Sequence, residues 1–125
     1  MPQSVIAIID DDPFFGEMLE TLTVALGYQT ELYESAEEFI QGAAFSKAVC
    51  LLVDIQLGDI SGVELARHLA ASGIRHPVIF MTGSQDTALR DQAMDFGCVA
   101  YLQKPFAASL LSAALVKALT AGAQG

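Results

Sequence analysis

The chain of 125 residues reads as a doubly wound α/β domain on a parallel sheet, and three observations predict it. Five short apolar runs alternate with five longer amphipathic stretches. The first, third and fourth runs are nearly continuous apolar blocks, as parallel strands covered on both faces should be. Three of the amphipathic stretches carry capping residues at their starts, and three have a glycine just past their ends. Strand–helix alternation with short links implies right-handed crossovers and helices on both faces of the sheet.

Strands are expected at Val5–Ile9, Thr30–Tyr33, Val49–Val53, Val78–Met81 and Val99–Leu102. The first helix opens with Asp12 as N-cap and Pro13 as first helical residue. Its apolar face is expected to carry Phe15, Met18, Leu19, Leu22, Ala25 and Leu26. Capping boxes open two later helices, Ser35 with Glu38 and Ser61 with Glu64. Gly27, Gly73 and Gly97 stand where a left-handed C-cap is wanted. In the last helix Leu110, Leu111, Ala114, Leu115, Ala118 and Leu119 are expected to cover the sheet. Ser112, Ala113, Val116, Lys117 and Thr120 lie opposite with one charge among them, which suits a contact surface better than a solvated face.

Composition narrows the function classes. With 53% hydrophobic residues, a domain of this size builds its core without metal or disulfide. No run approaches the ~20 apolar residues of a membrane span, and the MPQS start lacks the look of a signal peptide, so a soluble cytoplasmic protein is expected. Fifteen acidic residues against six basic give a net charge of −9, a poor match for nucleic acid. Cys50 and Cys98 sit in apolar company and are expected to be small core residues in a reducing compartment. His68 and His76 lie among polar neighbours and read as surface residues.

In such a sheet the site lies at the carboxyl ends of the strands. Strand one ends in Asp10-Asp11-Asp12, strand three in Asp54, strand four in Thr82 and strand five in Gln103-Lys104-Pro105. A solvated loop with an N-cap explains Asp12, but not Asp10 or Asp54, each placed directly after a buried strand. Such carboxylates repel one another and either neutralise or recruit a cation. Oxygen-only ligands in an open site suit Mg²⁺. Lys104 adds a positive charge and Thr82 a hydroxyl for a phosphoryl group.

At these residues the chain resembles a receiver domain of the two-component response regulators. The resemblance rests on IIDDDP at Ile8–Pro13, LLVDIQLGDISGVEL at Leu51–Leu65, PVIFMTG at Pro77–Gly83 and YLQKPF at Tyr101–Phe106. DISGVEL most resembles receivers ahead of a helix-turn-helix output domain in regulators of the nitrogen-fixation and nitrate-response type. The resemblance implies a flavodoxin-like (βα)5 fold with strand order 2-1-3-4-5. It implies that Asp54 accepts a phosphoryl group from a sensor histidine kinase or phosphotransfer protein. Asp10 and Asp11 match the acidic pair; Asp11, Asp54 and the backbone carbonyl of Gln56 would bind Mg²⁺. Lys104 would pair with the phosphate, Thr82 would turn its hydroxyl toward it, and Tyr101 would be the aromatic switch. Gln56 and Ser84 would tune phosphoryl lifetime. Such a chain assists its own phosphotransfer and dephosphorylation without being a dedicated enzyme.

The sequence departs from that pattern at three places. Gly58 stands where a proline often follows, which is expected to leave the loop less rigid. Gly83 replaces a more common alanine and leaves room beside the phosphate. Ala107 stands where the last helix is often capped, so its start is expected to fray. An alternative is a haloacid-dehalogenase-like phosphohydrolase with Asp10 as nucleophile and Asp12 as acid/base. That reading leaves Asp54 without a job and finds no acidic residue after Asp95 to hold Mg²⁺. The receiver is expected over residues 4–121, with 122–125 a flexible tail or the start of a linker. Phosphorylation is expected to promote homodimerisation or partner docking through the fourth helix, fifth strand and fifth helix, where Arg90 and Asp91 rim the patch.

Overall fold

The computed structural model describes residues 3–124, with the backbone alone for 121–124. Strand β1 (Val5–Ile9) leads into helix α1 (Pro13–Ala25), followed by β2 (Gln29–Tyr33) and α2 (Ala36–Gly42). A single 3₁₀ turn (Ala43–Phe45) precedes β3 (Cys50–Asp54), α3 (Gly62–Ala71) and β4 (Val78–Thr82). The chain closes with α4 (Thr87–Phe96), β5 (Ala100–Gln103) and α5 (Ala108–Gln124). All four strand pairings are parallel and the order is β2-β1-β3-β4-β5, the flavodoxin-like arrangement. α5 runs past Ala121, the expected limit of the domain, as far as Gln124. No helix among the described residues is long and apolar enough to cross a membrane.

The two-residue alternation of each strand divides the core in two. Ala7, Ile9, Leu51, Val53, Val78 and Phe80 point to one side and pack with Phe39 of α2, Val63, Leu65 and Leu69 of α3, and Ala93 of α4. Ile6, Ile8, Cys50, Leu52, Ile79, Met81 and Leu102 point to the other and meet Leu19 of α1 and Leu111, Ala114, Leu115 and Ala118 of α5. α1 and α5 therefore cover one face and α2, α3 and α4 the other. The two cysteines fall on opposite sides. Cys50 is fully buried, and burial pushes its thiol up to about 12, whereas Cys98 is only half-buried at the core's edge.

The expected N-caps form, but of the two capping boxes only the serine half does, the Glu38 carboxylate taking the Glu34 amide instead. Asp12 accepts from the amides of Phe14 and Phe15, Ser35 from Glu38 and Ser61 from Glu64. Gly27, Gly73 and Gly97 all take positive φ. His68 and His76 are exposed, as expected. Two helix faces differ from the sequence reading. On α1 the buried stripe runs through Gly16, Leu19 and Thr23, with Phe15, Leu22 and Leu26 half-buried, while Met18 and Ala25 face solvent. On α5 Leu110 is 55% exposed and does not cover the sheet. In both helices apolar residues extend round the wheel beyond the buried stripe, so periodicity alone places the stripe's edge one residue wrong.

One polar network ties the edge strand to the α2–β3 connection. Glu31 on β2 accepts from the hydroxyls of Tyr33 (2.9 Å) and Ser46 (2.6 Å) and from the Lys47 amide (2.9 Å). Burial pushes the Glu31 carboxyl up, but the hydrogen bonds from Ser46, Lys47 and Tyr33 together outweigh it and hold the group below its ordinary value. A carboxyl lowered in the folded state contributes stability that is complete above its unfolded value and lost as pH falls through the folded one. Glu31→Gln is therefore expected to be less stable than wild type near neutrality, with the gap closing below about pH 4.5. Thermal melting across that range checks this; a gap independent of pH contradicts it.

Candidate functional site

Backbone bonds from the sheet place the polar residues at the strand ends. The Asp10 amide donates to the Tyr33 carbonyl at 3.0 Å, that of Ile55 to Met81 at 2.8 Å and that of Lys104 to Thr82 at 2.7 Å. These bonds continue the parallel ladders beyond their last paired residues. The strand alternation then sorts the side chains. Asp10, Asp54 and Lys104 share the parity of Ile8, Leu52 and Leu102, on the α1/α5 side. Thr82 and Tyr101 have the parity of Phe80, on the α3/α4 side.

The α1/α5 side holds a clamp. Lys104 Nζ donates to Asp10 Oδ2 at 2.8 Å and to Asp54 Oδ2 at 2.9 Å. Each carboxylate turns its other oxygen to the amide two residues on: Asp10 Oδ1 accepts from Asp12 and Asp54 Oδ1 from Gln56, both at 2.9 Å. Both aspartates are buried, and the lysine side chain is only 15% exposed. The Phe15 ring lies under the ammonium, its centroid 4.2 Å from Nζ, and Phe106 packs edge-on against Phe15. The Lys104–Pro105 peptide bond is cis. Burial raises the Asp10 carboxyl above its ordinary value, more than the Lys104 and Asp12 hydrogen bonds lower it. Burial lowers Lys104, but the hydrogen bonds it donates to both carboxylates outweigh it and leave the ammonium harder to deprotonate than usual.

Asp11 joins from the exposed rim. Carboxylate oxygens of Asp10, Asp11 and Asp54 all lie within 4.8 Å of one another. At that separation two carboxylates repel by about 3–4 kcal/mol at an effective dielectric constant of ~20. Lys104 offsets one of the three negative charges, and the remainder matches a divalent cation. The cluster is therefore able to coordinate such an ion, and oxygen donors in an open site suit Mg²⁺. The Gln56 backbone sits against this cluster through its amide.

Thr82 is buried on the other side of the strand edge, and its hydroxyl accepts from the Ser84 amide at 3.0 Å. Tyr101 is half-buried and lines a hollow of about 370 Å³ with Ser84, Arg90 and Met94. The sequence thus finds the clamp, the third carboxylate and the hydroxyl, although the structure places Thr82 beside Ser84 and not against Asp54. Two supporting groups escape it. Phe15 meets Lys104 only because α1 folds back over β1, and no spacing in the sequence announces that. Gly62 is required because a Cβ there would lie 2.5 Å from the Asp54 carbonyl oxygen. Gly58 has φ +88°, a left-handed conformation closed to proline, so the departure there changes the loop's path and not merely its rigidity. Ala107 receives the Leu110 and Leu111 amides on its carbonyl, which starts α5 by backbone bonds.

The phosphohydrolase alternative finds no support. Asp12, its acid/base, is occupied capping α1, and Asp10, its nucleophile, is held by Lys104. The response regulator receiver domain model matches residues 6–116. The chain is 34% identical over 116 residues to the response regulator protein TodT of Pseudomonas putida, covering 93% of this chain and 51% of that protein. It is 34% identical over 125 residues to the transcriptional regulatory protein FixJ of Azorhizobium caulinodans, covering 99% and 59%. The chain thus spans about half the length of the curated relatives it matches. The crystal structure of FixJ-N superposes with a TM-score of 0.85 at 31% identity, covering 94% of each chain. A CheY-like receiver from Methanospirillum hungatei superposes at 0.89 with 23% identity over 98% of each, a likeness of fold.

A cation that relieves repulsion in the folded cluster stabilises the fold by linkage. Millimolar Mg²⁺ is expected to raise the melting temperature of the wild type, and Asp11→Ala is expected to lose that rise. A melting temperature indifferent to Mg²⁺ contradicts a metal role for the cluster.

Proposed function

The chain belongs to the response regulator receiver domain family, and on that premise we propose that Asp54 is its phosphoacceptor. Receivers are phosphoacceptors, not dedicated enzymes, and their phosphodonor is a histidine kinase or phosphotransfer protein. The observation that carries the residue assignment is the Lys104 clamp, which holds Asp54 at the end of the central strand beside Asp10 and Asp11. An Asp54 oxygen forms a bond to phosphorus as the phosphorus–nitrogen bond of phosphohistidine breaks, the electron pair returning to the imidazole. Lys104 pairs with the developing charge on the phosphoryl oxygens. Asp11, Asp54 and the Gln56 carbonyl would hold Mg²⁺, assisted by Asp10, and the ion would supply further neutralisation of those oxygens. The Thr82 hydroxyl turns to the phosphoryl group and Tyr101, which lines the neighbouring hollow, fills the space Thr82 leaves. Gln56 and Ser84 flank the group and set its lifetime.

The donor protein docks on the outer face of α1. Phe14 at its start is 84% exposed, and Met18 one turn on faces the same way. The surroundings are acidic throughout, because no Lys or Arg precedes Lys47. Acidic and basic residues from Lys47 onward cancel, so the whole net charge of −9 lies before Lys47, on α1, β2, α2 and the connections that precede α1 and α2. A donor with an apolar stripe and a basic rim fits this flank.

Output passes through the nearly neutral flank formed by α4, β5 and α5. Leu110, exposed contrary to expectation, and Val116, 56% exposed, offer apolar surface on α5, and Met94 is exposed on α4, which also carries Arg90 and Asp91. A second copy of the chain docks there, without direct contact to nucleic acid by this domain. Similarity to FixJ and TodT supports a receiver over residues 4–121 that works ahead of a helix-turn-helix output domain, as in nitrogen-fixation and nitrate-response regulators, in the cytoplasm. Incubation with acetyl phosphate and Mg²⁺ is expected to add one phosphoryl mass to the wild type and none to Asp54→Asn. Stoichiometric phosphorylation of that variant contradicts the assignment.

A further inference from the structure

Between β4 and α4 the chain climbs through three successive side-chain turns, each spanning two residues. Thr82 Oγ1 accepts from the Ser84 amide at 3.0 Å, Ser84 Oγ from the Asp86 amide at 3.0 Å, and Asp86 Oδ1 from the Ala88 amide at 2.8 Å. The last of these is the N-cap of α4. A continuous line of hydrogen bonds thus joins the buried Thr82 hydroxyl to the first turn of a helix on the output flank. A similar pair of rungs, Asp10 to Asp12 and Asp12 to Phe14, joins the clamp to α1.

The Thr82 hydroxyl cannot serve both ends of its range. Its proton has only the Ser84 carbonyl nearby, at 3.4 Å, while its oxygen holds the Ser84 amide. Turning toward Asp54 requires a new staggered rotamer, which carries Oγ1 away from that amide. The Ser84 amide then loses its acceptor and the lowest rung opens. Room for the segment to respond exists on both sides. Nothing lies within 4 Å of the position a Cβ would take on Gly83, and Ser84, Asp86, Thr87 and Tyr101 border the 370 Å³ hollow.

We infer that Ser84 is a positioning residue of the switch, whose hydroxyl passes the loss of the Thr82 contact to the Asp86 cap and so to the first turn of α4. This rests on Asp54 being the phosphoacceptor. In the resting chain the three rungs hold α4 in one place; phosphorylation releases them from the bottom upward. The rungs are specific for an oxygen at position 84, since an aliphatic side chain leaves the Asp86 amide without its acceptor.

Amide-resolved hydrogen exchange on the whole chain tests it, with acetyl phosphate and Mg²⁺ maintaining the phosphorylated form and intact mass reporting its extent. In the wild type the Asp86 and Ala88 amides are expected to exchange several-fold faster, about tenfold at most, once phosphorylated, the worth of one lost hydrogen bond. Ser84→Ala is expected to show that faster exchange before phosphorylation and little further change after it. Ser84→Thr, which keeps the hydroxyl, is expected to behave as wild type. Unchanged Ala88 exchange in a wild type whose mass shows full phosphorylation overturns the relay, as does a wild-type response in Ser84→Ala. A wild type that gains no phosphoryl mass overturns the phosphoacceptor assignment instead, and the relay falls with it.

Discussion

Two buried carboxylates share one ammonium at the centre of this molecule, and the placement of most other functional groups answers to that arrangement. Asp10 and Asp54 end adjacent strands on the same side of the sheet, so nothing in the fold keeps them apart. Unpaired, they would destabilise it; removing one partner of a buried ion pair costs about 3–5 kcal/mol. Lys104 reaches both from the far side of β4, with the Phe15 ring under its ammonium and Phe106 packed edge-on against that ring. The amides of Asp12 and Gln56 satisfy the remaining oxygens. Even so the cluster keeps excess negative charge, which is what makes it a receptor for a cation and, with that cation, for a phosphoryl group.

The sheet separates chemistry from response. Residues of one parity form the clamp over α1 and α5; residues of the other, Thr82 and Tyr101, sit over α3 and α4. Thr82 ends its strand beside the clamp yet is bonded into the β4–α4 segment. On the proposed assignment a group added to Asp54 would compete with Ser84 for one hydroxyl, and a differential contact of this kind is what a two-state switch needs. Charge divides along the chain instead: the whole net negative charge lies before Lys47, and the acidic and basic residues from Lys47 onward balance.

Much of this was legible in the residues. Strand–helix alternation, the Asp12, Ser35 and Ser61 caps and the C-cap glycines rest on local chemistry, which survives folding unchanged. Asp10, Asp54, Thr82 and Lys104 stood out because a charged or hydroxyl residue directly after a buried strand has no structural excuse. What stayed hidden depends on which side chains meet in space. The buried stripe of α1 passes through Gly16 and Thr23 in place of Met18 and Ala25, because the helix's rotation is set by its packing on β1 and β2. Leu110 lies outside for the same reason on α5. The left-handed Gly58, the close approach at Gly62 and the side-chain turns after β4 are backbone events without a period to read.

Lys104 and a divalent cation answer the same excess of negative charge. Calorimetric titration of Mg²⁺ into wild type and Lys104→Met, with both shown to be folded by circular dichroism, tests it most directly. With the ammonium gone, the three carboxylates are expected to bind Mg²⁺ more tightly, by about tenfold or more, the equivalent of about 1.4 kcal/mol of relieved competition. Equal or weaker binding by Lys104→Met contradicts the account.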